Sequence, residues 1–120
     1  MGRFQGKTAL VTGAAGGIGA AVVRMLRAEG ARVAAADRDV SAVEAEAHLP
    51  GDLRDPAYAA GLPAAALAAL GRLDIVVNNA GVITRGKVTE TSDEDWALTL
   101  GVNVEAPFRI TRAAIPLMAA

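Results

Sequence analysis

The stretch TGAAGGIG, Thr12 to Gly19, sets four glycines among eight residues where an apolar run gives way to a helical pattern. Glycine is the poorest helix former after proline, so its concentration at a helix start calls for a geometric reason. Upstream, KTALVTG reads as a buried strand, roughly Thr8 to Thr12. Downstream, Ile18, Val22, Met25 and Leu26 recur at helical spacing as one apolar stripe, with Gly30 as a C-cap candidate. RVAAAD then reads as a second buried strand closing at Asp37. Strand, glycine turn, helix and strand within about thirty residues form a βαβ unit, whose right-handed crossover makes its strands parallel.

The same alternation continues. VSAVEAEAH reads as a short helix, LPGDL as a strand end or loop at Asp52, and DPAYAAGLPAAALAALG as helical, with Pro63 interrupting or restarting it. LDIVVNNAG holds another buried strand, Asp74 to Asn78. In TSDEDW, both Thr91 with Glu94 and Ser92 with Asp95 have capping-box spacing. The helix they open runs to about Val104, and Pro107 marks a bend or a further helix reaching Pro116 or beyond. The pattern predicts an α/β fold, a doubly wound parallel sheet of about four strands, with residues 1–120 as one domain or part of one.

Composition narrows the partners. With 12 Lys and Arg against 13 Asp and Glu and no basic cluster, the chain is an unpromising ligand for nucleic acid or an anionic membrane. No apolar run is long enough to span a bilayer. There is no Cys, which fits a reducing, cytoplasmic setting, and the lone His48 has no partner at metal-ligand spacing, so no metal is expected.

A strand turning sharply into a helix presents N–H groups that lack intrahelical partners, and these suit a pyrophosphate. Close approach of such a ligand needs bare backbone. The competing reading is a merely tight strand–helix turn. Asp37, 24 positions after Gly13, suits the ribose hydroxyls of a dinucleotide, or else caps a turn. Asn103 shares a helical stripe with Trp96, Leu100, Val104 and Pro107, and so is expected to face inward.

Gly13, Gly16, Gly17 and Gly19 follow T-G-x-x-x-G-x-G with an extra glycine, and NNAG follows a strand at Asn78 to Gly81. With these motifs the chain resembles the short-chain dehydrogenases/reductases over its whole length. The resemblance implies a Rossmann-type fold and an NAD site at Gly13, Ala15, Gly16, Gly17, Ile18, Gly19, Asp37 and Arg38. Asp52-Leu53 would meet the adenine, and Asn79, Ala80 and Gly81 would border the cofactor ribose. It gives Asn78 the task of tying the central strands together. It makes Asn103 catalytic, its carbonyl holding a water in a proton relay, although a structural Asn at a helix bend fits as well. Gly101 replaces the more usual first Asn of that segment.

The resemblance further implies a small alcohol or ketone substrate and a homo-oligomer, tetramer or dimer, packed through helices around Glu105 to Ala120. Only fourteen residues separate Asp37 from Asp52, a short crossover found in some members that oxidise cyclic dihydrodiols and in some acyl-carrier-protein ketoreductases. The family's Ser and Tyr-x-x-x-Lys are expected beyond Ala120. Tyr58 is followed by Ala59, Ala60, Gly61 and Leu62, so it does not begin that motif. Two functions remain open: the cofactor-binding front half of an oxidoreductase, or a non-catalytic nucleotide-binding module.

Overall fold

The computed structural model describes residues 2–118; residues 1, 119 and 120 lie outside the described part. Four parallel strands, β1 (Thr8–Thr12), β2 (Arg32–Asp37), β3 (Ala47–Pro50) and β4 (Ile75–Val77), lie in the order β3-β2-β1-β4. The chain steps outward from β1 to β3, then returns past β1 to lay down β4. Strand order therefore reverses between β1 and β4, where open α/β sheets form a crevice at their carboxyl ends.

Side chains alternate across the sheet because the strand period is two. Ala9 and Val11 of β1 pack with Val33 and Ala35 under α1 (Gly17–Ala28). Leu10, Ala34 and Ala36 face α2 (Pro56–Leu70) and α4 (Ala106–Met118), which contribute Leu62, Ala66 and Ile110. Both faces of the sheet carry helices. β4 is an edge strand and only half-buried, shorter and more open than the buried strand expected over Asp74 to Asn78.

Three local expectations ahead of β4 need correction. Residues 38–46 form turns and extended chain, not a helix. That link is shorter than the dozen or so residues a helical crossover takes. It is held instead by buried Val40 and by Glu46, which accepts the Val33 N–H at 2.8 Å and pairs with Arg27. The α1 stripe is out of phase: Gly19, Val23 and Leu26 are buried, while Ile18 and Met25 are exposed. Gly19 fixes that phase, since a Cβ there would overlap Gly13 O. Thirdly, α2 runs unbroken through Pro63. Asp55 caps its start, accepting the Ala57 N–H at 3.0 Å, and Gly71 (φ +86°) ends it. Burial of Leu62, Pro63 and Ala66 offsets the lost proline hydrogen bond.

Gly30 terminates α1 as expected, with φ +99°. Its N–H donates to Arg27 O and that of Ala31 to Leu26 O, the paired bonds of a Schellman stop. α3 (Asp93–Leu100) is capped by Ser92, whose Oγ accepts the Asp95 N–H at 3.0 Å. A π-helical turn, Gly101–Glu105, joins it to α4. The wider turn shifts the helical phase, so Val102, Ala106, Ile110 and Ala114 face inward. Trp96, Asn103 and Val104 are exposed, contrary to the stripe read from the sequence.

Candidate functional site

Thr12, buried at the end of β1, organises the crevice. Its Oγ1 accepts the N–H groups of Asn79 and Ala80, both at 3.1 Å, and donates to Val77 O. The Asn79 amide donates to Gly13 O at 3.2 Å. Asn79, not Asn78, therefore ties the β4 loop to the β1 turn. Asn78 is exposed and donates to Thr111 Oγ1 on α4 at 3.3 Å.

The glycines divide into two groups. Gly13 adopts φ +64°, and a Cβ there would sit 2.9 Å from Ala80 Cα. Gly13 and Gly19 are thus required by the fold itself. At Gly17 a Cβ would meet nothing within 4 Å, and at Gly16 only Gly13 O at 3.6 Å. Packing does not require glycine at these two positions, which line the cleft where α1 begins. The bare backbone and the first N–H groups of α1 form a cradle suited to a phosphate.

That cleft measures about 520 Å³. Gly13, Gly16, Gly17, Ile18 and Gly19 line one side; Asp37, Arg38, Asp52 and Leu53 lie toward the ends of β2 and β3; Asn79, Ala80 and Gly81 lie beside β4. Ala15 is not a lining residue: its N–H donates to Asp37 Oδ2 at 3.0 Å. Asn103 does not line the cleft either. Its side chain brackets Val82, accepting the Val82 N–H and donating to Val82 O, both at 2.8 Å.

Sequence reasoning missed Thr12, Gly51, Arg54, Val82, Leu98 and Val102. The threonine was legible as part of the motif; the others depend on how loops pack. Arg54 grips Asp52 through Nη2 at 2.6 Å and Nε at 3.0 Å. That guanidinium, helped by the Arg54 N–H, holds the Asp52 carboxyl down at about 2. A Cβ at Gly51 would collide with the Tyr58 ring. The Tyr58 hydroxyl donates to Leu49 O, and burial, then the charge of Asp37, pushes it up to about 12. The tyrosine therefore supports the β3 end as a hydrogen-bond donor. Among the described residues no group of three His, Asp or Glu could hold a metal ion, and no helix is long and apolar enough to cross a membrane.

A crevice at the carboxyl ends of parallel strands, where strand order reverses beside a glycine-lined helix start, defines a nucleotide-binding α/β protein. A family profile described as short chain dehydrogenase matches residues 7–120, and the chain belongs to that family. It is 43% identical over 122 residues to D-threitol dehydrogenase of Mycolicibacterium smegmatis, covering 92% of this chain and 47% of that protein. It is 38% identical to 2,3-dihydro-2,3-dihydroxybenzoate dehydrogenase of Bacillus subtilis, covering 96% of this chain and 48% of that one. A solved short chain dehydrogenase from Burkholderia cenocepacia, in complex with NADP, superposes with TM-score 0.91 at 35% identity, covering 97% of this chain and 52% of that one. The chain thus spans about half the length of the relatives it matches.

Proposed function

We propose that this chain is the cofactor-binding half of an oxidoreductase that moves hydride between a nicotinamide dinucleotide and a secondary alcohol or ketone. The observation that carries the reading is Gly17, where bare backbone at the start of α1 borders a cleft that no side chain of the protein fills. The nicotinamide supplies the hydride chemistry when bound. The chain supplies placement: the α1 N–H groups for the pyrophosphate, Asp37 for the adenosine ribose, and Asn79 to Gly81 for the nicotinamide side.

Asn103 is a positioning residue in this reading. The two bonds of its side chain to Val82 fix the loop that follows Gly81, and they do not involve its backbone carbonyl, the group to which the resemblance gives the water relay. The family's Tyr-x-x-x-Lys is absent from residues 1–120, so the complete reaction belongs to a longer protein, and the 120-residue chain alone is inert toward ketones.

We further propose NAD over NADP, from the carboxylate of Asp37, with Arg38 acting against it. Arg38 makes no ion pair among the described residues, and it borders the same cleft. Three of the similar solved structures are described as complexes with NADP or NADPH, so the competition between these two side chains decides the preference. A homo-oligomer in the cytoplasm completes the proposal. Titrating NADH and NADPH into the chain by calorimetry tests it. Saturable binding of both, tighter for NADH, is the expected result; no binding of either overturns it.

A further inference from the structure

The chain that leaves β4 is fastened to the helical stretch across from it at two points. Asn103 holds the backbone of Val82 through both polar groups of its side chain, each at 2.8 Å. Two residues on, the Thr84 hydroxyl meets the Thr99 hydroxyl of α3 at 3.1 Å, in a half-buried contact. Burial alternates along this segment as in an extended chain: Val82 and Thr84 are half-buried, and Ile83 between them is 81% exposed. The spacings match. Two residues of extended chain span about 6.6 Å, and four residues of helix rise about 6 Å. The segment runs antiparallel to the helix, so both fastenings close together. The neighbouring pair on the helix, Leu98 and Val102, lines the cleft with Val82. Beyond Thr84, residues 85–94 are all exposed. The threonine pair thus stands where the cleft wall ends and the open loop begins.

We infer that Thr99 is a positioning residue for the bound coenzyme: its hydroxyl, by holding Thr84, keeps Val82 in the cleft wall beside the nicotinamide half of a dinucleotide. The inference rests on the dinucleotide reading above, which gives Asn79 to Gly81 to the nicotinamide side; Val82 is the next residue. Asn103 alone fixes one point of the segment, about which an extended chain can turn. The second point removes that freedom and aims Val82. Each hydroxyl can donate or accept, so a valine at either position removes the bond and keeps the branched shape. The pyrophosphate cradle belongs to another element, the start of α1, so a ligand without the nicotinamide ring should not sense the change.

The test is calorimetric titration of the full chain with NADH and with ADP-ribose, which lacks the nicotinamide ring, for wild type, Thr99→Val and Thr99→Ser. Wild type should bind NADH more tightly than ADP-ribose. Thr99→Val should weaken NADH about threefold, the worth of one neutral hydrogen bond, and leave ADP-ribose unchanged. Thr99→Ser keeps the hydroxyl and should keep the wild-type ratio. Equal weakening of both ligands by Thr99→Val would mark a purely structural threonine and overturns the inference. An unchanged NADH affinity in Thr99→Val also overturns it, as does a serine variant that behaves like the valine one. A wild type that binds ADP-ribose as tightly as NADH overturns the inference and leaves the dinucleotide reading standing. If Thr99→Val does not fold, Thr84→Val removes the same bond and carries the same expectation. Binding of neither ligand to wild type rejects the dinucleotide reading first and this inference with it.

Discussion

The carboxylate of Asp37 accepts the N–H of Ala15 at 3.0 Å, which fastens the glycine turn to the end of β2. Its other oxygen accepts the Arg38 N–H at 2.7 Å. Asp37 therefore shapes the turn, beside the part proposed for it at a ribose. An NADP 2′-phosphate would bring like charge close to it. Two unit charges ~4 Å apart at an effective dielectric of ~20 repel by about 4 kcal/mol. After screening and the opposing charge of Arg38, about a quarter of that survives, roughly a fivefold preference for NADH. Asp37→Asn keeps one acceptor for Ala15 and removes the charge, so it should fold normally and bind NADPH as well as NADH. Calorimetric Kd ratios for the two coenzymes check this. A preference unchanged in Asp37→Asn would show that the charge is not its source.

Asn103 bonds both polar groups of Val82. Removing one hydrogen-bonding side chain costs about 1 kcal/mol. Asn103→Ala should therefore speed hydrogen exchange at the Val82 amide about fivefold, while the β1 and β2 amides keep their protection. Slowed or unchanged exchange at Val82 would count against the role given to Asn103.

Asp74 accepts the Thr8 N–H at 2.9 Å and pairs with Arg72 at 2.7 Å. The Arg72 guanidinium, with the Thr8 bonds, holds its carboxyl below the usual range. A lowered folded-state value means stability that is fully present above the unfolded value of about 4 and is lost as pH falls through the folded value. Asp74→Asn should destabilise the chain by about 1 kcal/mol at pH 7 and flatten its loss of stability below pH ~4. Urea unfolding across pH 7 to pH ~3 reads both effects. Parallel curves for the two proteins would rule Asp74 out as a source of acid sensitivity.

Trp96, Val104, Phe108 and Ile115 are 57–61% exposed along α3, the π-turn and α4. So much large apolar surface on one helical stretch favours self-association. Sedimentation should show a dimer or larger species, and Phe108→Asp with Ile115→Asp should shift it to monomer. A monomeric wild type at tens of micromolar would contradict the proposed homo-oligomer.

Much of the fold was legible in the sequence because it rests on local chemistry. The runs around Leu10 and Ala35 are short, apolar and bounded by turn residues, as buried parallel strands are, and Gly13 and Gly30 mark reversals that only glycine makes easily. Phase was harder to read. The α1 stripe was misread because the contact of Gly19 with Gly13 O, not hydrophobicity, sets the rotation of that helix. The α3–α4 stripe failed at the π-turn, which no periodicity announces. The cleft residues carried by motifs were readable, whereas Arg54 and Val82 join it only through loop packing.

The most direct measurement compares Gly17→Ala with Gly19→Ala. If the cleft is a dinucleotide cradle, one glycine serves the ligand and the other the fold. A Cβ at Gly19 would overlap backbone, so Gly19→Ala should lose about 3 kcal/mol of stability. A Cβ at Gly17 meets no protein atom, so Gly17→Ala should melt at or slightly above the wild-type temperature, with up to about 1 kcal/mol gained from a less flexible unfolded chain. Its affinity for NADH should nevertheless fall at least about tenfold, the equivalent of about 1.4 kcal/mol of lost contact. A Gly17→Ala chain that binds NADH as tightly as wild type would contradict the account at its centre.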